Sequence, residues 1–308
     1  MSLRAAVIGF GSIGSRHARV LEGLGVAVSV VSRRGEGGHL PAFTSFAQAR
    51  AKGPFGYVVI TDETARHIET LSEVAASGHD GLVLVEKPLF AAPAAIPARR
   101  FHRGGVGYNL RFDPAVQALR ADLAGRRTQA ADFRVGQWLG DWRPGRDVAL
   151  TYSASHAAGG GALRDLSHEL DLACWLFGAW IAVAASGGRL GSVTVDADDA
   201  WSILLSCERC PLVTIHMNCL DRIGRRTVTV QSDGETFDLD MVAGTIRTGA
   251  SRREFAADRD ASFAAMHQAL MRGSDDVCTL DEGAAVVELI AAVERASAER
   301  RWVTRASR

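Results

Sequence analysis

The segment GGGALRDLSHELDL, residues 159–172, gathers an aspartate, a histidine, a glutamate and a second aspartate in a short stretch entered through three glycines. Imidazole and carboxylate groups held together can take up and return a proton, which is what interconversion of a hydroxyl and a carbonyl demands. On a helix of 3.6 residues per turn, Asp165, His168, Glu169 and Leu172 share one face, while Leu166, Leu170, Ala173 and Phe177 share another. That spacing predicts one helix whose apolar side packs on a sheet and whose polar side faces a cleft. The glycines predict a backbone that a ligand approaches closely, since a β-carbon would intrude. Lys87, in VLVEKPLF, is the second reactive candidate, held at a strand exit by Pro88. An ammonium there polarises an oxygen; a neutral amine, favoured by burial or a neighbouring cation, takes a proton. Histidine titrates near neutrality unperturbed, so the residues leave the acid/base open between Lys87 and His168.

The N-terminal pattern supplies elements to position such groups. The apolar run Ala5–Ile8 turns through Gly9, Gly11 and Gly14 into a helical pattern with Val20, Leu21 and Leu24. This is G-x-G-x-x-G after a strand and before a helix, the setting in which a pyrophosphate meets backbone amides and a helix N-terminus. VAVSVVS, Tyr57–Thr61 and GLVLVEKPLF read as further buried strands, alternating with a helix carrying Ile68, Leu71 and Val74. Strand–helix alternation predicts a parallel, doubly wound sheet with ligands at the carboxyl ends of its strands. At the tip of the second strand stand Ser32, Arg33 and Arg34, in place of the carboxylate that accepts bonds from a free ribose. Guanidinium groups suit a ribose 2′-phosphate, so NADP(H) is expected ahead of NAD(H).

With 308 residues the chain predicts two domains, 1–124 and 125–308. Lys plus Arg and Asp plus Glu number 35 each, an even balance that argues against nucleic acid or an anionic membrane as partner. No apolar stretch reads as a signal peptide or span, and five scattered cysteines make no disulfide framework, so a cytoplasmic protein is expected. Cys207, Cys210, His216 and Cys219 are weighed as zinc ligands and set aside, because His216 and Cys219 fall on opposite faces of one strand.

GFGSIGSRH, ITDETARHIE, VEKPL and GGGALRDLSHELDLACWLFG, in that order, resemble the Gfo/Idh/MocA family of NAD(P)-dependent oxidoreductases over nearly the whole chain. The resemblance implies an α/β fold, with an N-terminal Rossmann domain and a C-terminal α+β domain built on a large, mostly antiparallel open sheet. It implies substrate contacts at Lys87, Asp165 and His168, with Lys87 as polarising donor, His168 as acid/base and Asp165 orienting. Cofactor contacts are expected at Gly9, Gly11, Ser12, Ile13, Gly14, Ser32, Arg33, Arg34, Thr61, His67, Glu86 and Lys87. This chain departs from many members in spacing Asp165 and His168 three apart rather than four, which puts the roles of Asp165 and Glu169 in question. GYNLRFDP and GQWLGDWRPGRD are similar to segments of relatives in surface-sugar biosynthesis, and offer Asn109, Arg111, Trp142 and Arg143, with Glu169, to a sugar-like substrate. A homo-oligomer, dimer or tetramer, through the C-terminal sheet is expected. Besides hydride transfer to or from a sugar, nucleotide sugar or cyclic polyol, two alternatives remain: a redox-neutral glycoside hydrolase and a non-catalytic NADP(H)-binding sensor.

Overall fold

Short β-branched runs and amphipathic segments alternate through the first third of the chain, giving β1 (Arg4–Ile8), α1 (Ser12–Gly23), β2 (Ala27–Val31), β3 (Ala42–Phe43), α2 (Phe46–Arg50), β4 (Tyr57–Ile60), α3 (His67–Ala76), β5 (Leu82–Val85) and β6 (Arg103–Val106). There follow α4 (Pro114–Asp122), β7 (Thr128–Gly136), α5 (Ala162–Asp165), α6 (His168–Phe177), β8 (Trp180–Gly188), β9 (Ala200–Cys207), β10 (Cys210–Asn218), β11 (Arg225–Ser232), β12 (Glu235–Asp240), β13 (Thr245–Thr248), β14 (Ser251–Glu254), α7 (Ala261–Arg272), α8 (Leu280–Glu299) and β15 (Val303–Thr304). This computed structural model describes residues 3–98, 100–142, 152–191, 196–256, 258 and 260–306. Among them no helix is long and apolar enough to cross a membrane.

The first sheet has the order β3-β2-β1-β4-β5-β6, with all its pairs parallel. Every residue of β4 and β5 is buried, as expected of strands covered on both faces. The second sheet has the order β14-β13-β12-β11-β7-β10-β9-β8-β15, antiparallel except where β7 lies beside β10. Gly234, at φ 79°, turns β11 into β12 at the expected Asp233-Gly234 hairpin. The fold is thus a parallel Rossmann-like sheet plus a mostly antiparallel one.

The compact units are Met1–Phe112 with Arg259–Val287, and Asp113–Asp258 with Glu288–Arg308. They differ from the expected division at 124/125 in two places. The Asp113 carboxylate caps α4 by accepting from the amides of Ala115 and Val116 at 2.9 and 3.2 Å, and α4 then packs on β12 and β13 of the second sheet. In the other direction, Phe263, Met266 and Leu270 of α7 join Val7, Leu21, Tyr57 and Leu84 in the core of the first unit.

The single helix expected from residue 162 onward is two. Ser167 N–H donates to the Arg164 carbonyl at 3.3 Å and Glu169 N–H to the Leu166 carbonyl at 3.4 Å, three-residue bonds that tighten the chain between α5 and α6. The 3.6-residue face therefore does not run through from Asp165 to Glu169. Nor is a polar side left in water: Asp165, His168, Glu169 and Asp171 are 8%, 9%, 2% and 1% exposed.

Candidate active site

The glycine turn is built as its spacing requires. Gly9 adopts φ 95°, and a β-carbon there would lie 2.7 Å from the Asp62 amide nitrogen. A β-carbon on Gly14 would overlap the Gly9 carbonyl oxygen and stand 2.6 Å from Thr61 Oγ1. Gly11 is different: nothing lies within 4 Å of the β-carbon position. No side chain caps α1 at Gly11, so the first-turn amides of Ser12 and Ile13 carry the positive end of a helix dipole with no side-chain acceptor at the cap. Thr61, expected on the cofactor, is buried, and its hydroxyl donates to the carbonyls of Ile8 and Gly9 at 3.0 and 2.9 Å. Its place is beneath the turn, holding β1 to β4.

A cleft of about 610 Å3 opens over this turn, lined at one end by Gly9 and Gly11 and at the other by Ser32, Arg33, Arg34 and Glu36. Arg33 is 3.8 Å from the Glu63 carboxylate, and Arg33 and Arg34 are exposed. The cleft also holds Arg66. Four carboxylates line it as well, Asp62, Glu63, Glu73 and Glu36, and of these the sequence reading passed over Glu36 at the strand tip. It escaped notice because it lies five residues beyond the end of β2 at Val31, past a glycine turn.

Ile8 pairs with Ile60 and Ile60 with Val85, so Gly9, Thr61 and Glu86 emerge side by side at the carboxyl edge of the sheet. Lys87 follows there, half-buried. The Glu86 carboxylate, expected toward the cofactor, is 7% exposed and turned inward to His17, its other oxygen accepting the Lys87 amide at 3.1 Å. Burial pushes this carboxyl upward, but the hydrogen bond from His17 and the charge of Lys87 overcome it, and the group is held below the usual carboxylate range. His67 is 1% exposed. One ring nitrogen faces the carbonyls of Pro88 and Leu89 at 3.0 and 3.2 Å, the other the Asp62 carbonyl at 3.1 Å, so it ties the segment after Lys87 to the end of β4. Asn109 and Arg111, expected on the substrate, lie within the first unit's interior. Asn109 donates to Ser262 at 2.8 Å, and Arg111, 1% exposed, pairs with Glu282 at 3.4 Å.

In the second unit the glycine-led entry has an unexpected occupant. Gly161 adopts φ 114°, and a β-carbon there would overlap the Asp198 carboxylate. Asp198 accepts from the Leu163 amide at 2.8 Å and from the Trp201 indole at 2.6 Å. The close approach read as a ligand's is made by the chain's own carboxylate capping α5. Asp165 and His168 follow, buried on either side of the tightened turn. Glu169, expected on the substrate, pairs with Arg226 of β11 at 2.8 Å. Trp142 is half-buried at the end of a 3-10 turn, Leu139–Trp142, and Arg143 lies outside the described residues. Among the described residues no group of three or more His, Cys, Asp or Glu side chains is placed to hold a metal.

The Glu169–Arg226 pair gives a stability prediction. Breaking a buried pair costs about 3–5 kcal/mol; Arg226 is 25% exposed in its side chain, which puts Arg226→Ala at the lower end, about 3 kcal/mol. Thermal unfolding should show a midpoint roughly 6–12 °C lower, and Glu169→Gln with Arg226→Met should recover most of it. A single variant as stable as the parent would remove the pair from the fold's support.

These elements define the class: a Rossmann-like unit joined to an α+β unit with an open sheet. Residues 129–238 match the GFO/IDH/MocA C-terminal domain, the family that the motifs resemble. The same architecture extends over the chain in solved structures. GenD2 from gentamicin A biosynthesis, in complex with NAD, is 24% identical, with 99% of this chain and 97% of that one covered at a TM-score of 0.82. Levoglucosan dehydrogenase, in complex with NADH, is 15% identical over 99% of both chains at 0.83. An oxidoreductase from Agrobacterium radiobacter, in complex with NAD+, L-tartaric acid and magnesium, is 17% identical over 99% and 98% at 0.80. No curated protein sequence matches the chain.

Proposed function

We propose that the protein is an NADP(H)-dependent oxidoreductase acting on a carbinol or carbonyl carbon of a sugar, a nucleotide sugar or a cyclic polyol. The observation that carries this reading is the carboxyl edge of the first sheet, where an uncapped glycine turn, a basic strand tip and Lys87 share one row of strand ends. Gly11 and the first-turn amides of α1 receive a pyrophosphate, and Ser32, Arg33 and Arg34 a 2′-phosphate. A bound nicotinamide supplies or accepts the hydride. Lys87 donates a hydrogen bond to the reacting oxygen, His168 holds or moves its proton, and Asp165 orients the imidazole. The solved neighbours named above carry NAD or NADH, so the preference for the phosphorylated dinucleotide rests on this chain's own strand tip.

A screen of sugars and nucleotide sugars for NADPH absorbance change, with NADH in parallel, tests the reading. Each charge-assisted hydrogen bond to phosphate is worth about 1.5–3 kcal/mol. Arg33→Ala with Arg34→Ala should therefore lower kcat/KM for NADPH by about 100-fold or more and leave NADH within about threefold. Faster turnover of NADH by the unaltered enzyme would overturn the phosphate assignment.

A further inference from the structure

Four buried side chains of the first unit form a continuous hydrogen-bonded ladder that the reaction scheme does not use. Tyr57 Oη is 2.7 Å from His267 Nδ1, His267 Nε2 is 2.8 Å from His17 Nδ1, and His17 Nε2 is 2.9 Å from Glu86 Oε1. Tyr57, His17 and His267 are fully buried, and Glu86 nearly so. They come from β4, α1, α7 and the residue after β5, so α7 reaches back 250 positions to complete the set. The signal in the sequence was slight: His17 stands on the inward face of α1, between Gly14 and Leu21.

Each link carries one proton, and with Glu86 ionised and His267 held uncharged by its burial two arrangements are open. In the first, Tyr57 donates to His267, His267 to His17, and His17 to an ionised Glu86, with both rings neutral. In the second, His17 is an imidazolium that donates to Glu86 and to His267, and His267 donates to Tyr57. The Tyr57 hydroxyl decides between them, because His267 is its one hydrogen-bond partner among the described residues. The second arrangement leaves that buried hydroxyl proton without an acceptor. Burial also holds His267 well below the usual histidine range and raises Tyr57. Neither group gains a charge readily. Among the described residues two polar groups meet Glu86, the His17 imidazole and the Lys87 residue; just after β6 the Gly107 backbone closes on it, a β-carbon there lying 2.6 Å from Oε1. The remaining charges where α1 meets α7, Arg16 and Arg19, pair with Asp260.

We propose that the ladder runs one way, from Tyr57 through His267 and His17 to Glu86, and that Glu86 ends it as a fixed carboxylate whose countercharge is the Lys87 ammonium. Lys87 is then the donor to the substrate oxygen and not the base, which leaves proton transfer to another group. His17, His267 and Tyr57 are positioning residues. The argument rests on the reading above that Lys87 meets the substrate. With a cationic His17, Glu86 would already be neutralised and Lys87 free to act as an amine; the tautomers of two rings that touch no ligand therefore decide the role of one that does.

Long-range proton–nitrogen spectra of the full chain, labelled with 15N-histidine, read this directly. His17 and His267, assigned by loss of signal in His17→Gln and His267→Gln, should both appear as neutral rings protonated at Nε2 at pH 7. An imidazolium at His17 overturns the proposal. In turnover, His17→Leu removes the donor to Glu86 and leaves desolvation to raise that carboxyl. The group is then protonated as pH falls from a higher value, and the acid limb of kcat moves up by at least one pH unit at unchanged dinucleotide affinity. His17→Gln, whose amide can still donate to Glu86, should bring the limb more than halfway back. An acid limb that stays in place in a folded His17→Leu also overturns the proposal, and if that variant does not fold, the spectra decide alone. Retained turnover in Lys87→Met would sink the lysine's contact with substrate and leave the tautomer result standing.

Discussion

Replacement of Lys87 by methionine should lower kcat by about a thousandfold while dinucleotide affinity stays within a factor of about three. Positioned proton donors and acceptors contribute about 10²–10⁴ to such reactions, and the Lys87 backbone is fixed before substrate arrives. Lys87 N–H is bound to Glu86, and the segment after it is anchored by His67 through the Pro88 and Leu89 carbonyls. Methionine keeps most of the length and the apolar character of the lysine stem and removes the charge with its N–H donors, while the backbone bonds that frame the edge of the sheet are left in place. The measurement is steady-state turnover alongside direct titration with NADPH by fluorescence. A fall in kcat with binding preserved places the lysine in the reaction. A fall in both would mean that the ammonium serves the dinucleotide, and turnover within tenfold of the parent would remove it from the chemistry.

The row of strand ends that frames Lys87 was legible because its causes are local. Ala5–Ile8, Tyr57–Ile60 and Leu82–Val85 are short apolar runs that end at glycine, threonine and glutamate, and each forms a strand of the expected parallel sheet. Asp233-Gly234 made its hairpin for the same reason, since a turn needs only the residues within it. What stayed hidden depends on partners far away in the chain. β3 has two residues and β6 reads RGGV, too short or too glycine-rich to announce a strand before a neighbour pairs with it. The helix carrying Asp165 and His168 was read through a continuous period, but its tightened turn at Leu166 and Ser167 has no signature in hydrophobicity. Asp198, which occupies the space at Gly161, lies 37 residues further on. The same limit hides the protein partners of Asn109, Arg111, His67 and Glu169, because sequence alone does not bring Ser262, Glu282, the carbonyls of Asp62, Pro88 and Leu89, or Arg226 beside them.

Two alanine substitutions in the glycine turn should separate its structural and ligand-facing parts. In Gly14→Ala the new methyl group meets the Gly9 carbonyl and Thr61 Oγ1, neither of which can withdraw, because the Thr61 hydroxyl is bonded to that carbonyl and its amide to Ile8. α1 must shift away from the sheet instead. Overpacking of this kind costs about 1–3 kcal/mol, and more where the obstacle is backbone, so a melting midpoint roughly 6–12 °C lower is expected for about 3 kcal/mol. Dinucleotide affinity should fall by at least tenfold as the first-turn amides move. Gly11→Ala has no such obstacle: its position is open and its φ of −82° suits any residue. Stability should change by less than about 0.5 kcal/mol, yet affinity should again fall at least tenfold, because the methyl group stands where the pyrophosphate must approach the backbone. The contrast between the pair carries the test. If Gly11→Ala binds NADPH as tightly as the parent, the phosphates do not lie over the turn, and the 610 Å3 cleft belongs to some other ligand.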